Sequence, residues 1–333
     1  MNKDQRNTPS NVSLIIEPFR EEHIEPSIYL WTSQYTTAKK TFHTIPDKWS
    51  VDSTSIREYL EEHAKTGKGI VAKTNGEIVG YMVYDKFPFH GAEIIYSSIV
   101  GHSSVESGKE KIYQKMYKYL SDIWVKNNVL DHIITFFSHE IQLKEALFNL
   151  GFGLYAVDLY RSVNPIDHVD SVSIQQASLD DADDIMRLGE EFGSYCLEAP
   201  LFFVRDNKKR QYYEDYLRDK DSAVFLAKHD GDIVGFMSIR KNCKDDIFTL
   251  ADKNTGRIDM LGAYIQPFYR SQGIGVSLLS CVLQWCYEMG IDFVHVDYES
   301  ANLYASGFWP THFVSTMFSV KRRVNPDILS QML

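Results

Sequence analysis

The chain has 333 residues, about twice the length of a common single domain, so its length favours two domains. Hydrophobic residues make up 44% and charged residues 24% of the sequence, which excludes a disordered chain, a collagen-like fibre and a disulfide-rich mini-protein. The net charge of -10 makes nucleic acid a poor partner, and the sequence shows no apolar run of membrane-spanning length and no secretory signal, so we expect a cytoplasmic protein that binds no membrane.

Cysteine usage argues against a disulfide framework. Cys196, Cys243, Cys281 and Cys286 show no CxxC spacing and no cluster with histidine. We therefore expect buried, reduced thiols and no metal site.

The first half of the chain alternates between strand and helix patterns. We predict a flexible tail over residues 1–11, then a short strand and an amphipathic helix within residues 15–30. Residues 71–82 (VAKTNGEIVGYM) are typical of a β-hairpin, because Asn-Gly tolerates the positive φ of a tight turn. An apolar helix is predicted at 116–125 and a strand at 131–137.

The second half repeats this order about 155 to 160 residues later. Its hairpin, residues 226–237, reads LAKHDGDIVGFM, with Asp-Gly at the turn. The other corresponding segments are 173–188, 278–287 and 293–298. Alternation of this kind predicts the α/β fold class with a mixed (α+β) sheet, in two domains of the same type.

A polar segment, residues 162–171 (SVNPIDHVDS), contains Asn-Pro and is the best linker between the two copies. We place the boundary near residue 166, which predicts one domain over 12–165 and another over 166–333. Residues 1–165 carry 18 basic and 20 acidic side chains, whereas residues 166–333 carry 17 and 25. The second half is therefore the more acidic one.

The most informative stretch is residues 257–280 (RIDMLGAYIQPFYRSQGIGVSLLS). It predicts a strand over 258–265, a proline-marked turn over 266–269 and a helix over 276–289. Between the turn and the helix lies RSQGIG, residues 270–275. Two glycines at the start of a helix let backbone amides point outward where the helix dipole is positive, which suits a pyrophosphate.

A lone glycine pair is more often only a turn, so the surrounding pattern matters. This loop is not a Walker A motif, and Leu278 stands where a dinucleotide-binding fingerprint has its third glycine. The order strand, proline, R-x-x-G-x-G, helix resembles the acyl-CoA-binding motif of the GNAT N-acetyltransferase superfamily. Residues 296–324 (VDYESANLYASGFWPTHFVSTMFSVKRRV) also resemble the end of bacterial tandem-GNAT proteins, and the resemblance covers nearly the whole chain.

The resemblance implies two tandem GNAT-like acyl-CoA N-acyltransferase domains with acetyl-CoA as the cofactor. It implies that backbone groups of Ala263 and Ile265 contact the pantetheine arm and that Asn302 touches the cofactor. A splayed pair of strands leaves backbone N–H groups free to stabilise an oxyanion; the alternative is that Ala263 and Ile265 are ordinary strand residues. The other cofactor-binding residues implied are Arg270, Ser271, Gln272, Gly273, Ile274, Gly275 and Val276.

The matching part of the first half, residues 94–119, departs from the motif. Its loop, residues 103–111 (SSVESGKEK), has a single glycine, Gly108. The resemblance therefore implies a GNAT fold whose cofactor loop has decayed, and one cofactor per chain. Either the loop binds an anion through Lys109 and Lys111 or it is a solvated surface, and we favour the solvated surface.

An ammonium acceptor must lose a proton before it can attack a thioester. Asp259, Asp297 and Glu299 lie on the two strands expected to flank the thioester, and we predict catalytic roles for Asp259 and Glu299, with a salt bridge or strand-end cap as the alternative for each. Many GNAT enzymes protonate the departing thiolate with a tyrosine about seven residues after the asparagine. That position is Trp309 here, which leaves Tyr304 as the candidate acid, with packing as its alternative.

The sequence thus predicts an acetyl-CoA-dependent N-acetyltransferase that acts on a primary amine by direct transfer in a ternary complex. The acidic second half favours a cationic acceptor, either a small molecule or a peptide. The rival interpretation is a non-catalytic acyl-CoA-binding regulatory module, supported by the missing tyrosine, and a scaffold that binds no cofactor is the third. The acceptor's identity, the acyl preference and the oligomeric state stay open.

Overall fold

The computed structural model describes residues 13–167, 172–206, 208–258 and 261–332. The predicted flexible tail, residues 1–11, lies outside the described residues.

The first half follows the predicted alternation of strands and helices. Its elements are β1 (Ile15–Pro18), α1 (Ile24–Thr41), α2 (Lys48–Val51), α3 (Thr54–Thr66), β2 (Gly69–Thr74), β3 (Glu77–Val83), β4 (Asp85–Phe89), β5 (Ala92–Ser97), β6 (His102–Ser104), α4 (Lys109–Lys126), β7 (Asp131–Phe137), α5 (Ile141–Asn149) and β8 (Gly153–Ser162).

Within the described residues, the second half repeats that order with seven strands, one fewer than the first half. Its elements are β9 (Ser173–Gln176), α6 (Ala182–Cys196), α7 (Arg210–Arg218), β10 (Ser222–His229), β11 (Asp232–Lys241), β12 (Thr255–Ile258), β13 (Ala263–Ile265), α8 (Ile274–Glu288), β14 (Phe293–Glu299), α9 (Leu303–His312), β15 (Val314–Arg323) and α10 (Leu329–Met332).

Both predicted hairpins are confirmed. Asn75 and Gly76 join β2 to β3 with φ of 53° and 85°, and Asp230 and Gly231 join β10 to β11 with φ of 52° and 94°. Positive φ at both central residues gives the turn whose twist matches the flanking strands. The internal repeat read from the sequence is therefore also a repeat of local structure.

The two halves exchange their last strands. The long sheet has the order β4-β5-β7-β15-β8-β14-β12-β11-β10-β9, with β13 also paired to β11. β15 of the second half thus lies between β7 and β8 of the first, and β8 pairs with β14 of the second. Strands β1, β2, β3 and β6 form a separate sheet. Backbone hydrogen bonds therefore join the halves on both sides of the exchanged pair.

A long connection in the second half adds further contacts between the two halves. Residues 242–254, between β11 and β12, reach the helices of the first half. The Trp49 indole N–H donates to Leu250 O at 2.7 Å, and Lys48 Nζ lies 2.6 Å from Asp245 Oδ2. Trp49 is fully enclosed, so this anchor is part of the core that the halves share.

Helices cover both faces of the second half's part of the long sheet. The apolar side chains of α8 pack against one face, together with Val294, Val296 and Tyr298 of β14. Helices α6 and α7 pack on the opposite face, against Phe236 and Tyr264. Because side chains alternate along a strand, His295, Asp297 and Glu299 face the side of α6 and α7.

The four cysteines form no disulfide among the described residues. Cys196 and Cys286 are buried and Cys281 is half-buried, but Cys243 is exposed because it lies at the start of the 242–254 connection. The expectation of burial is wrong for Cys243. Among the described helices, none is both long and apolar enough to cross a membrane.

Two buried histidines make the fold sensitive to acid. In each ring Nδ1 lies at a tyrosine hydroxyl and Nε2 at a backbone carbonyl: His102 contacts Tyr113 and Thr135, and His132 contacts Tyr117 and Val129. This pattern suits a neutral imidazole, which accepts at Nδ1 and donates at Nε2. Burial lowers the pKa of both histidines to about 4.

We expect the melting temperature to fall as the pH drops from about 6.5 towards 4, because the unfolded histidines bind protons in this range and the folded ones do not. One unit of pKa difference corresponds to about 1.4 kcal/mol. Melting curves of the parent and His102→Gln, which can still donate to Thr135 O, test this. The variant should lose less stability across that range, and an identical pH dependence would contradict the assignment.

Candidate active site

The two strands at the centre of the second half separate after a short paired stretch. β12 pairs with β14 in parallel, and the last pair among the described residues is Ile258 with Val296. β13 pairs with β11 on its other side, and within the described residues it has no partner in β14. The predicted single strand over 258–265 is therefore wrong: it is two strands, with Gly262 at φ 77° before the second. A gap opens between β13 and β14.

Backbone groups of β13 point into this gap. Gly262 O and Gln266 N, on either side of β13, both hydrogen-bond to β11 at 2.9 Å. In an antiparallel pair the bonds to one neighbour alternate along the strand, so Tyr264 also bonds to β11. Ala263 and Ile265 therefore turn their N–H and C=O groups away from β11, towards β14. These are the two residues expected to contact a pantetheine arm.

The glycine loop opens directly onto the N-terminus of α8. Gly273 caps the helix with φ 83°, and Ser271 also has positive φ, 61°. The helix begins at Ile274, two residues earlier than predicted. For the amides from Gln272 to Gly275, the described part of the chain provides no hydrogen-bond acceptor. A row of free amides at the positive end of a helix suits a diphosphate.

The side chains of the loop have different surroundings. Ser271 and Gln272 are exposed, and Ile274 is buried, so only backbone groups of Ile274 can reach a ligand. A Cβ on Gly275 would lie 3.0 Å from the Phe308 ring of α9, which explains why this position is glycine. Val276 is half-buried in the first turn of α8.

Arg270 folds back beneath the loop. Its Nε donates to Ile265 O at 2.8 Å, and its guanidinium lies 4.2, 4.9 and 5.4 Å from the ring centres of Tyr304, Tyr195 and Tyr264. Cation–π contacts of this kind hold the arginine and the rings together. The contacts show Arg270 bracing the loop from β13.

Asn302 links the end of β14 to α6. Its Oδ1 accepts from Ala305 N at 3.1 Å as the N-cap of α9, and from the Tyr195 hydroxyl at 3.0 Å. Tyr304 is 56% exposed with its ring on Arg270, while Trp309 is buried. Tyr195, which the sequence did not single out, is thus a second hydroxyl at this site, and burial raises its pKa.

The predicted acidic residues have different positions. Asp259 lies outside the described residues. Asp297 follows Val296, which pairs with Ile258 at the end of the described part of β12. Its side chain is exposed, and desolvation by the surrounding protein together with the charges of Asp158 and Glu299 raises its pKa to about 6. A carboxylate there is reachable by an acceptor.

A cavity of about 1160 Å³ lies beside this acidic face and is lined by both halves of the chain. The first half contributes the β4–β5 turn and the start of β8, where the rings of Phe89 and Tyr155 are 6.4 Å apart. From the second half, Glu299 lines the cavity, and the Phe203 ring is 4.6 Å from the ring of His90. The volume is ample for a small-molecule or peptide acceptor.

The corresponding place in the first half is closed by its own side chains. Gly108, with φ 73°, opens α4 as Gly273 opens α8. Lys109 is buried, with Nζ 2.6 Å from Glu140 Oε1, so the expectation of a solvated loop is wrong for Lys109 and holds for Lys111. His102 Nε2 reaches from β6 to the Thr135 carbonyl on β7.

The described residues contain no cluster of three or more histidine, cysteine, aspartate or glutamate side chains that could hold a metal ion.

Comparisons with known proteins agree with this geometry. The acetyltransferase (GNAT) family matches residues 192–312. A GCN5-related N-acetyltransferase from Sphaerobacter thermophilus has 11% sequence identity and a TM-score of 0.59, over 94% of this chain and 96% of its own. Among curated protein sequences none matches significantly.

A second solved structure is a GCN5-related glucosamine N-acetyltransferase region of a fungal multi-domain β-N-acetylglucosaminidase. It has 10% identity and a TM-score of 0.53, over 94% of this chain and 38% of its own. The predicted fold class, α/β with a mixed sheet in two tandem GNAT-like domains, is confirmed. The acetyltransferase (GNAT) family model therefore matches residues 192–312, within a chain that has the GNAT fold along nearly its whole length.

Proposed function

We propose that this protein is an acetyl-CoA-dependent N-acetyltransferase that transfers the acetyl group directly to a primary amine in a ternary complex. The observation that carries the proposal is the gap between β13 and β14, with outward-facing backbone groups on one strand and free amides at the start of α8. Its test is thiol release from acetyl-CoA with a panel of amines.

The residues of the second half fit the cofactor. The amides from Gln272 to Gly275 would hold the diphosphate, and Ala263 and Ile265 would hold the pantetheine arm alongside Asn302. Acetyl-CoA bound there supplies the reactive thioester. A backbone N–H of β13 would stabilise negative charge on the carbonyl oxygen, since it has no competing partner in the sheet.

The acceptor side would supply the proton chemistry. An ammonium group entering the cavity meets Glu299 at its wall and Asp297 at the opening of the strands. A carboxylate there attracts the cation and takes its proton, directly or through water. Tyr304 stays our candidate for giving a proton to the departing thiolate. The centre of its ring lies 5.9 Å from the centre of the Tyr195 ring.

A non-catalytic acyl-CoA-binding module is the second candidate. The position at which many GNAT enzymes have the tyrosine acid is the buried Trp309 here. The candidate that remains, Tyr304, packs its ring on Arg270, and this observation favours the module. Binding of acetyl-CoA without thiol release for any amine would support the module, and turnover would exclude it.

We predict one bound acetyl-CoA per chain. His102 bridges the equivalent gap of the first half, between β6 and β7, and Lys109 is held on Glu140 rather than free to meet a diphosphate. Calorimetric titration should give a stoichiometry near one. A value near two, or cofactor bound against Gly108, would contradict the prediction that the first half binds no acetyl-CoA.

We also predict that the best acceptor is cationic in solution. The carboxylates of Asp297 and Glu299, in the more acidic half, would attract an ammonium group. A screen of cationic, neutral and acidic amines should rank the cationic ones first by kcat/KM. A strongly acidic amine as the best substrate, or an unchanged pH–rate profile in both Asp259→Asn and Glu299→Gln, would contradict this view of the acceptor site.

A further inference from the structure

The strand that faces Asp297 belongs to the other half of the chain. β8 pairs with β14 in antiparallel orientation, and the register puts Asp158 directly opposite Asp297. Directly opposed residues in such a pair have Cβ atoms about 4.5–5.5 Å apart and point to the same face of the sheet. The backbone hydrogen bonds of the exchanged strand therefore keep two carboxylates close together.

Asp158 is fixed in that position. Its Oδ1 lies 3.0 Å from Nε2 of His295, and because a carboxylate only accepts, the imidazole donates. His295 is completely buried, with its ring 5.0 Å from that of Tyr160. Thr316 Oγ1 donates to the backbone oxygen of Asp158 at 3.1 Å. β14 thus holds the carboxylate of Asp158 through His295, and β15 holds its backbone through Thr316.

We propose that Asp158 is a positioning residue for acetyl transfer, whose charge makes the opposite carboxylate, Asp297, a stronger base towards the ammonium acceptor. This inference rests on the function proposed above. One N–H bond of the ammonium group breaks, and an O–H bond forms on Asp297. The freed lone pair attacks the thioester carbon, the C–S bond breaks, and the second nitrogen proton goes to the departing thiolate. Asp297 returns its proton to water.

The charges that face Asp297 agree with this role. Burial and the charge of Asp158 on β8 raise the pKa of Asp297, and Glu299 on β14 adds to the rise. His295 on β14 and Arg257 on β12 oppose it, and the net result is a pKa of about 6. At pH 7 to 8 such a group is ionised and available, and it is a better proton acceptor than an ordinary aspartate.

Tyr155 on β8 lies near the same charges. Burial, followed by the charges of Glu299 and Asp297, raises its pKa to about 12. It therefore stays neutral in the working range and adds no charge that could replace Asp158.

The first test is a titration of Asp297 by NMR of ¹³C-labelled aspartate carboxyls in the full-length chain, assigned with Asp297→Asn. We expect a parent midpoint near 6, and a midpoint lower by about one pH unit in Asp158→Asn. Asp85→Asn is the matched control, because Asp85 also pairs with a buried histidine, His63, at 3.2 Å. It should leave the midpoint unchanged.

An unchanged midpoint in Asp158→Asn would overturn the proposal. A parent midpoint in the ordinary range of aspartate, about 4, would overturn it whether or not the variants fold.

Turnover gives the second readout, as the pH dependence of kcat/KM for a cationic amine. In Asp158→Asn the acid limb should move to lower pH and the plateau should fall several-fold, while Asp158→Glu, which keeps the charge, should retain the parent limb. A lower plateau with an unmoved limb would indicate a purely structural role and overturn the proposal. A parent that titrates as expected but acetylates no amine would instead refute the proposed function, and the role of Asp158 with it.

Discussion

Replacement of Gly273 by aspartate is expected to reduce acetyl-CoA binding by more than about a hundredfold. The position has φ 83°, which an L side chain rarely adopts, and it caps α8 where the amides of the loop point outward. The carboxylate would add bulk and a negative charge at the place proposed for the diphosphate. Hydrogen bonds to charged groups contribute roughly 1.5–3 kcal/mol each, so loss of two is enough for this effect. Isothermal titration of the parent and the variant gives the measurement.

The first half offers a matched control. Gly108 caps α4 with φ 73°, so Gly108→Asp introduces the same strain at the equivalent place in the first half. It should lower stability to a similar degree and leave the affinity for acetyl-CoA unchanged. If a folded Gly273→Asp variant bound acetyl-CoA as tightly as the parent, the assignment of the cofactor loop would be wrong.

The second large effect concerns the exchanged strands. Residues 166–333 expressed alone would lack β8, so β14 would lose its antiparallel partner and β15 both of its neighbours. We expect this fragment to be unfolded or aggregated, because unpaired strand edges and exposed apolar side chains such as Met317 promote association. Circular dichroism and size-exclusion chromatography test the expectation.

The control for this fragment is the folded full-length chain, cleaved between its two halves. An engineered protease site in the linker between β8 and β9 leaves both exchanged strands in place, so the cleaved halves should elute together and keep the parent's acetyl-CoA affinity. A stable, monomeric 166–333 fragment with full cofactor affinity would contradict the structural dependence of one half on the other.

Local sequence signals predicted the elements that local chemistry determines. The Asn-Gly and Asp-Gly turns need only their own backbone preferences, and Gly273 and Gly275 are recognisable because they stand in the order strand, proline, R-x-x-G-x-G, helix. The strand exchange has no such signal. The alternation of side chains along β8 and β15 does not say which strands they pair with, so only the assembled sheet shows their neighbours.

The misjudged and missed residues have the same physical explanation. Lys109 was expected in solvent because lysine is almost never buried unless paired, and its partner Glu140 is 31 residues away. Tyr195 reaches Asn302 across 107 residues, and Asp158 faces Asp297 only through the exchanged strand. Spacing along the chain carries no information about contacts of this range.

The closed gap of the first half also limits what protein engineering can achieve there. Grafting an R-x-x-G-x-G loop onto residues 103–111 would restore the outward amides but leave His102 bridging β6 and β7. It would also require a new partner for Glu140, which Lys109 and Gln34 now share. A second cofactor site would therefore need coordinated changes at the loop, at His102 and at Glu140, because the side chains that close this gap also pack the first half.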